Sequence, residues 1–361
     1  MTQARSGAAG IVIRTLTDGG QTPLSVAEEL AGFISAAHKT LAIAVYDLQL
    51  GPEAGGKIAE AVRRAAARGV SVRLAYNVDH DRPIAVPPPP RTDTDLVAKL
   101  GVPSEAIPGT PDLMHHKYVV RDGRAVWAGS ANWTDDSWSR EENVIVTAES
   151  QELAHAYTLD FEQLWRRRKV AGTGDVEPRA CRVAGSTVRA WFCPDHGTEL
   201  AHRIARAIGN ARRRVRIASP VITSGPVLGT LSEVAADGKV DVAGVIDATQ
   251  IEEVYGQWRA KEGTRWKLTS LGDVLRFAAF TGKRSTPYRP DSVHDYMHAK
   301  VTVADDVAFV GSFNLSHSGE MNAENMLEID DRAISAQLAE FIDDIRSLYP
   351  GAPLPPVSAA V

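Results

Sequence analysis

Two stretches of this chain repeat the same residue types in the same order and at nearly the same spacing. The first reads HHKYVVRDGRAVWAGSAN and covers residues 115–132, and the second reads HAKVTVADDVAFVGSFN and covers residues 298–314. Each contains His-x-Lys, four further residues, an Asp, and then a Gly-Ser-x-Asn tetrapeptide. Such a repeat indicates that one structural unit occurs twice, so the fold must accommodate two copies of it.

The apolar patterns around the two copies also repeat. The first half begins with IVIRTLTD, TPLSVAEELAGFISAAH and TLAIAVYDL, and the second begins with TVRAWFCPD, TELAHRIARAIGNA and RVRIASPVI. In each half an apolar strand, an amphipathic helix and a second apolar strand follow one another, and further helices and strands alternate after them. This alternation predicts an α/β fold of two pseudo-symmetric halves, each a mixed, largely parallel sheet flanked by helices, fused into one bilobal unit.

The boundary between the halves is expected where the helical pattern stops and glycine, proline and charge take over. We predict an N-terminal half at residues 1–170, a linker at 171–185 and a C-terminal half at 186–361. The second half carries an insertion at about residues 250–297, in which aromatic and basic residues are interleaved. That composition suits a nucleic-acid strand surface, a lipid headgroup interface or a lid with its own small core.

Composition argues against several classes of protein. The chain has 361 residues, 44% of them hydrophobic, which is enough apolar material for a large core. Its formal net charge is −5, so no global basic excess indicates a polyanionic partner. No run of about eighteen apolar residues occurs, and Arg14 interrupts the first apolar stretch. We therefore expect no transmembrane segment and a cytoplasmic protein, with peripheral attachment to a membrane as the alternative.

The repeated residues have the chemistry of a phosphate site. In each copy His and Lys are two residues apart, and so are Ser and Asn, so on a strand each pair projects from one face. Lys supplies fixed positive charge, Ser and Asn donate hydrogen bonds to phosphate oxygens, and His can attack or protonate. The candidate catalytic residues are His115, Lys117, Asn132, His298, Lys300 and Asn314, with Ser130 and Ser312 in support.

These two segments resemble the repeated motif of the phospholipase D superfamily, which is His-x-Lys, four residues, Asp, six residues and Gly-Ser-x-Asn. The first copy matches this motif in full, with Asp122 at the Asp position. The second copy has five residues between Asp305 and Gly311, a deletion that most economically shortens a hairpin turn. The shorter spacing leaves open whether Asp306 replaces Asp305.

The resemblance implies one active site, without a metal or other cofactor, where the two motifs meet across a pseudo-twofold axis. One His attacks phosphorus to form a phosphohistidine, and the other protonates the leaving alcohol and then activates water or another alcohol. By similarity we assign His115 as the nucleophile and His298 as the general acid and base, with the reversed order as the alternative. The pKa values of the two imidazoles should then be pushed apart. Because one chain carries both motifs, we expect a monomer.

Each catalytic imidazole needs a carboxylate that accepts its other ring proton. Glu142 and Glu324 each lie twelve residues after the serine of their motif, and the resemblance implies an acidic residue near this position. Asp122 and Asp305 are expected to tie the motif loops together and not to touch substrate.

Two further residues are candidates for substrate binding. Trp133 follows Asn132 directly and either lines the mouth of the pocket or caps the core. His294 lies four residues before His298 and either contacts substrate or solvates a loop. His116 should point away from its neighbours on the motif strand and pack in the core.

The sequence favours a phosphodiesterase and leaves its substrate open. The first hypothesis is phospholipase D-type hydrolysis of a glycerophospholipid, or transfer of its phosphatidyl group to an alcohol, which requires contact with a membrane surface. The alternative is a nuclease acting on single-stranded or damaged nucleic acid. A binding module without catalysis is disfavoured, because both copies keep every catalytic residue type.

Overall fold

The computed structural model describes residues 10–78, 92–289 and 292–353. Regular structure in the first half runs through β1 (Ile11–Leu16), α1 (Pro23–Ser35), β2 (Thr40–Val45), β3 (Leu48–Gln49), α2 (Pro52–Ala67), β4 (Ser71–Val78), α3 (Thr94–Leu100), β5 (Ser104–Pro108), β6 (Lys117–Arg121), β7 (Ala125–Gly129), β8 (Trp133–Thr134), α4 (Asp135–Ser139), β9 (Asn143–Glu149) and α5 (Gln151–Arg167). The second half continues with β10 (Cys181–Val183), β11 (Ser186–Phe192), α6 (Gly197–Asn210), β12 (Arg214–Ser219), α7 (Gly225–Asp237), β13 (Asp241–Asp247), α8 (Ala248–Arg259), the 3-10 helix η1 (Glu262–Thr264), α9 (Arg265–Phe277), β14 (Ala279–Lys283), β15 (Val301–Ala304), β16 (Val307–Gly311), α10 (His317–Met321), β17 (Asn325–Asp330) and α11 (Arg332–Leu348). The predicted strand, helix, strand order at the start of each half is present as β1, α1, β2 and as β11, α6, β12.

Each half contributes one mixed sheet. The first has the strand order β1-β9-β7-β6-β2-β4-β5, and the second has the order β10-β11-β17-β16-β15-β12-β13-β14. The prediction of mixed sheets is confirmed, but they are not largely parallel. Within these two sheets the described parallel pairs are β2-β4, β4-β5, β12-β13 and β13-β14, and the other neighbours are antiparallel. Apolar strand patterns report burial and not direction, so the sequence did not reveal this majority.

Each copy of the repeated motif forms an antiparallel hairpin, β6-β7 in the first half and β15-β16 in the second. Residues 122–124 connect the first hairpin, whereas residues 305–306 connect the second. The one-residue deletion in the second copy therefore shortens the turn, as predicted.

The Asp at each hairpin turn ties the motif to a neighbouring loop. The Asp122 carboxylate accepts hydrogen bonds from the backbone N–H groups of residues 38–40, and the Asp305 carboxylate accepts them from residues 212–214. Burial would raise the pKa of both carboxyl groups, but these hydrogen bonds outweigh it and hold each pKa below its usual value. Asp305 thus has the same structural role as Asp122 in spite of the deletion. Asp306 forms an ion pair with Arg213 instead.

The two sheets share one apolar core. Buried residues from one face of each sheet pack in a single cluster with helices α5 and α11, and Val170 and Val176 of the connecting segment join them. Helices α1, α2 and α3 pack on the other face of the first sheet, and α6, α7 and α9 pack on that of the second. The motif hairpins lie in the middle of their sheets, so both are held between rigid neighbours. The division of the chain at residues 171–185 stays a prediction.

The predicted insertion at about residues 250–297 is largely regular structure. It comprises most of α8, then η1, α9 and β14, followed by a loop that leads to the second motif. Strand β14 extends the second sheet by pairing with β13. Among the described residues, no helix has both the length and the apolar character needed to cross a bilayer.

Candidate active site

The two motif strands meet at the interface between the halves. Met114 forms a β-bridge with Ala323, and Met297 forms the matching bridge with Glu142. The residue before each motif His is therefore anchored to the opposite half. Both motif lysines lower the pKa of both motif imidazoles, which requires the four side chains to lie close together. The two motifs thus meet at one place, as predicted.

His115 is held by direct contact with a carboxylate. Its Nδ1 lies 2.8 Å from Oε2 of Glu324, and 5% of the residue is exposed. Burial raises the pKa of Glu324 to about 7, although the nearby Lys117 ammonium opposes the shift. The ring of Tyr46 packs edge-on against the imidazole, with 4.6 Å between ring centroids. Glu324 lies beside a motif His, as predicted. A carboxylate at Nδ1 keeps the ring proton on that atom, so the lone pair of the neutral imidazole is on Nε2.

His298 has a different pair of partners. Its Nδ1 lies 3.0 Å from Oδ1 of Asn143 and 3.3 Å from Oε2 of Glu141. The Asn143 amide also donates to Oε2 of Glu141 at 3.1 Å, so the three groups form one buried cluster. Burial raises the pKa of Glu141 and lowers that of His298. The closest partner of His298 is therefore a neutral amide oxygen, and the carboxylate makes the longer contact.

A shift of one residue between the halves produces this difference. The backbone N–H of Ser130 donates to the carbonyl of Val144, fourteen residues later, and that of Ser312 donates to the carbonyl of Asn325, thirteen residues later. Val144 and Asn325 are therefore structural equivalents. The segment between the motif and the following strand is one residue longer in the first half.

The shift exchanges the orienting residues. In structural terms Asn143 takes the place of Glu324, and Glu141 takes the place of Asn322, whose amide donates to Glu324 at 3.3 Å. Each half thus carries one Glu and one Asn beside the opposite imidazole, but in the reverse order along the strand. His115 faces the carboxylate directly, and His298 faces the amide.

The prediction that Glu142 orients a catalytic His is wrong. Its carboxylate accepts hydrogen bonds from Nζ of Lys283 at 2.9 Å and from Oη of Tyr349 at 2.6 Å. Lys283 also donates to the carbonyl of Arg140 at 2.9 Å. Counting twelve residues from the motif serine selected Glu142, but because the segment is one residue longer, Glu142 lies one residue before the orienting position, which Asn143 occupies. Its ion pair instead joins the two halves.

Replacing Lys283 with Met is expected to lower the free energy of unfolding by about 3–5 kcal/mol, because the Glu142 carboxylate stays buried without its ion-pair partner. Denaturation in urea measures the change. Arg284→Met is the matched control, since Arg284 pairs with Glu252 at the surface and its loss should leave the midpoint nearly unchanged. Equal losses in the two variants would contradict a special contribution of the buried pair.

Both motif lysines are buried beside the imidazoles. Nζ of Lys117 donates to the carbonyl of His115 at 2.7 Å, and Nζ of Lys300 donates to the carbonyl of His298 at 2.5 Å. Burial lowers the pKa of both ammonium groups. A phosphodiester anion between them would favour their charged forms, so the lysines are suited to hold phosphate oxygens.

The motif serines are hydrogen-bonded to the strand that carries the orienting residues. Oγ of Ser130 accepts a hydrogen bond from the N–H of Val144 at 2.9 Å and donates to Oδ1 of Asn143 at 2.7 Å. Oγ of Ser312 accepts a hydrogen bond from the N–H of Asn325 at 3.0 Å. Both hydroxyls are fully buried against the neighbouring strand, and their donation to phosphate oxygens stays a prediction.

The motif asparagines have buried, unpaired oxygens. Oδ1 of Asn132 and Oδ1 of Asn314 accept no hydrogen bond from the described residues, although both atoms are buried. Buried amide groups are normally paired within the protein or with a bound molecule. The same unpaired oxygen occurs at the matching position of both halves, and contact between these amides and a phosphate group stays a prediction.

Glycine before each motif serine permits the close strand pairing. A Cβ at Gly129 would lie 2.1 Å from the carbonyl oxygen of Val144, and one at Gly311 would lie 2.2 Å from that of Asn325. No side chain fits at such a distance. The Gly-Ser pair therefore brings the orienting strand of each half against its motif.

Trp133 belongs to the core and not to the pocket mouth. Its side chain is buried in the cluster between the first sheet and α1, α2 and α3, and its backbone N–H donates to the carbonyl of Asp47 at 3.0 Å. His116 is also a packing residue, as predicted: it is fully buried, with Nε2 3.2 Å from Oδ2 of Asp160.

His294 lies beside the site. Its charge contributes to the lowered pKa of His298, and its backbone N–H donates to Oδ2 of Asp136 in the other half at 2.9 Å. Its ring stacks between Tyr288 and Tyr296, with centroid distances of 5.3 and 5.5 Å. Contact between His294 and substrate stays a prediction.

The structure lowers the pKa of both motif imidazoles, and the expected separation of the two pKa values stays a prediction. Burial lowers the pKa of His115 and of His298 well below the usual value, and the charges of both motif lysines lower them further. The environment therefore favours neutral imidazoles on both sides. The difference between the two histidines lies in their Nδ1 partners.

Sequence reasoning missed Tyr46, Glu141 and Asn143. The sequence could have indicated Glu141, since it is the acidic residue next to Glu142 in the REEN segment. Asn143 aligns by motif spacing with Asn325, which hid its structural equivalence to Glu324. Tyr46 has no signal, because only the fold brings the end of β2 to the motif.

Comparison with known proteins gives one family and several relatives. The chain matches a family model described as "Cardiolipin synthase, PLD-like domain" over residues 30–165 and 204–346. It is 30% identical over 122 residues to the mitochondrial cardiolipin hydrolase of Homo sapiens, covering 34% of this chain and 45% of that protein. It is 28% identical over 145 residues to the protein of the same name from Chlamydomonas reinhardtii, covering 40% and 59%. Over 53 residues it is 43% identical to that of Xenopus laevis, covering 14% and 25%. The matched stretch thus spans between a quarter and three fifths of these relatives.

Solved structures share the fold over most of the chain. Phosphatidylserine synthase of Haemophilus influenzae Rd KW20 superposes with a TM-score of 0.66 and 15% identity, covering 92% of this chain and 86% of that one. Polyphosphate kinase from Porphyromonas gingivalis gives a TM-score of 0.55 and 12% identity, covering 92% and 50%. At such identities the likeness concerns the fold alone.

Proposed function

Because this chain belongs to the phospholipase D-like family, we propose that it is a metal-independent phosphodiesterase that cleaves a glycerophospholipid through a covalent phosphohistidine. One observation carries the proposal. Two buried imidazoles meet beside two buried ammonium groups, and each imidazole is oriented through Nδ1 by residues of the opposite half. Neither half contains a complete site by itself.

The first step is attack of His115 on phosphorus. Nε2 of His115 forms a bond to phosphorus while the bond from phosphorus to the headgroup oxygen breaks, and His298 gives its proton to that oxygen. Lys117 and Lys300 stabilise the negative charge on the phosphoryl oxygens, and the amides of Asn132 and Asn314 hold the group in place.

The second step reverses the proton transfer. The neutral His298 takes a proton from water or from a second alcohol, whose oxygen attacks phosphorus as the bond to His115 breaks. Water yields a phosphatidic acid, and an alcohol yields a new phosphodiester. The two steps thus account for both hydrolysis and transfer.

The exchanged orienting residues support His115 as the nucleophile. A phosphorylated imidazole that keeps its Nδ1 proton carries positive charge, and the Glu324 carboxylate at 2.8 Å stabilises that charge directly. His298 has an amide oxygen as its closest partner, which stabilises imidazolium less and leaves it the better proton donor. The reversed assignment would put the weaker stabilisation on the covalent intermediate.

The lipid substrate is favoured by the family and its relatives. The description of the matching family model names cardiolipin synthase, and the curated relatives are named as mitochondrial cardiolipin hydrolases. We propose that the protein works as a monomer on phospholipid at a membrane surface, without a spanning helix. Cleavage of single-stranded or damaged nucleic acid is the alternative outcome of the test.

The test is one assay on purified protein in excess EDTA. Mixed phospholipid vesicles with ethanol, and labelled single-stranded DNA, are offered in parallel, with His115→Asn as the inactive control. EDTA-resistant phosphatidylethanol that is absent in the control supports the lipid substrate and transfer through a covalent intermediate. DNA cleavage without lipid turnover, or loss of all turnover in EDTA, would overturn the proposal.

A further inference from the structure

We propose that the exposed face of helix α9 docks the protein on an anionic lipid surface; this inference rests on the proposed lipid substrate. Helix α9 lies within the segment whose role the sequence left open. One side of α9 packs on the second sheet, because Leu271 and Val274 belong to the apolar cluster that this sheet forms with α6, α7 and α9. Trp266 and Phe277 project beside this buried side and stay about half exposed, although the Trp266 ring lies next to Gly225 of α7.

Two aromatic side chains mark this face. Trp266 is 48% exposed and Phe277 is 49% exposed, which makes them two of the largest apolar side chains left in solvent. They are about three helical turns apart, so they project from the same side of α9, at its two ends. Paired aromatic groups on one side of a helix are typical of insertion into the headgroup region of a bilayer.

The charge around the aromatic pair has the sign that anionic lipids require. Between residues 259 and 277 the exposed charged side chains are Arg259, Lys261, Glu262, Arg265 and Arg276. Four of these five are cationic, although the whole chain has a net charge of −5. Arg276 lies 5.0 Å from the centroid of the Phe277 ring. Basic side chains interleaved with exposed aromatic rings match an anionic interface.

The docking face is connected to the active site. Lys267, the neighbour of Trp266, donates from Nζ to the carbonyl of Thr223 at 3.1 Å. The N–H of Thr223 donates to the carbonyl of Leu315 at 2.7 Å, and Leu315 directly follows Asn314 of the second motif. Two hydrogen bonds therefore link the Trp266 end of α9 to the catalytic loop. A bilayer bound by this face would lie near the active site, which takes its lipid substrate from the bilayer.

The test compares one headgroup in two physical states. The substrates are dibutyroyl phosphatidylglycerol below its micelle concentration and vesicles of long-chain phosphatidylglycerol with phosphatidylcholine. For the double variant Trp266→Ala, Phe277→Ala, we expect the ratio of vesicle turnover to monomer turnover to fall about tenfold. We expect its binding to vesicles, measured by sedimentation, to fall as well. Val12→Ala with Leu159→Ala is the matched control, since both residues are exposed apolar side chains elsewhere, and it should leave the ratio unchanged.

The outcomes separate this inference from the proposed function. Wild-type binding to vesicles by the double variant would overturn the docking face, while turnover of either lipid keeps the proposed function. An equal loss of turnover on monomers and vesicles would also overturn it, because α9 would then act on the pocket or the fold. If wild-type protein turns over neither lipid, the proposed function fails, and sedimentation still decides whether α9 binds bilayers. Binding of single-stranded DNA lost in the double variant, with vesicle binding retained, would assign the face to nucleic acid.

Discussion

His298→Ala is expected to release one equivalent of p-nitrophenol per protein from a phosphatidyl ester of p-nitrophenol and then nearly stop. This leaving group needs no proton, so attack by His115 proceeds without a general acid. Release of the covalent group does need His298 to take a proton from water, so the steady rate should fall by about 10²–10⁴-fold. Stopped-flow absorbance measures the burst, and the mass of the intact protein shows a phosphatidyl adduct.

The matched variant is His115→Ala, for which we expect neither burst nor adduct. A burst from this variant, with none from His298→Ala, would reverse the assignment of the two histidines. A burst from both would contradict a single nucleophile, and with it the argument from the exchanged orienting residues. Circular dichroism of each variant establishes that the loss does not come from unfolding.

Glu324→Gln is expected to lower kcat/KM by about 10²–10⁴-fold, because the amide no longer stabilises the charge that develops on His115. The pH dependence should change as well. Burial raises the pKa of the Glu324 carboxyl to about 7, so the carboxylate and the activity that depends on it are present above that pH and lost as pH falls through it. In the Gln variant the acid limb that reports the Glu324 carboxyl should disappear.

The control for this prediction is Glu142→Gln, the residue that motif spacing selected. Its carboxylate binds Lys283 and Tyr349, so the substitution should lower the melting temperature and leave kcat/KM within about threefold of wild type. A large loss of kcat/KM in Glu142→Gln, with little loss in Glu324→Gln, would contradict the orienting roles drawn from the structure.

Motif spacing predicted much of the fold and of the site. The two copies led to an α/β chain of two halves, to His115 and His298 with their lysines, and to Glu324, because these features depend on local order along one strand. The same order identified Asp122 and Asp305 as residues that tie loops together. Strand periodicity also predicted that His116 points away from the site.

Other features depended on how the strands are arranged within each half. The antiparallel majority in both sheets is absent from the sequence pattern, since a buried strand has the same apolar run in either direction. Trp133 is a core residue because β8 pairs with β3 and the Trp133 side chain packs in the cluster between the first sheet and α1, α2 and α3, which its position after Asn132 did not reveal. Tyr46 reaches His115 only because β2 lies beside β6.

The orienting partners of His298 show most clearly what the sequence could not predict. Counting along the chain selected Glu142, and the structure instead brings Glu141 and Asn143 to the imidazole, because one additional residue before β9 shifts the strand register. By itself the sequence determined which residue types carry the chemistry, since their spacing on a strand sets the face from which they project. Only the tertiary structure decided which carboxylate serves which histidine, because in a strand a shift of one residue turns every side chain to the opposite face.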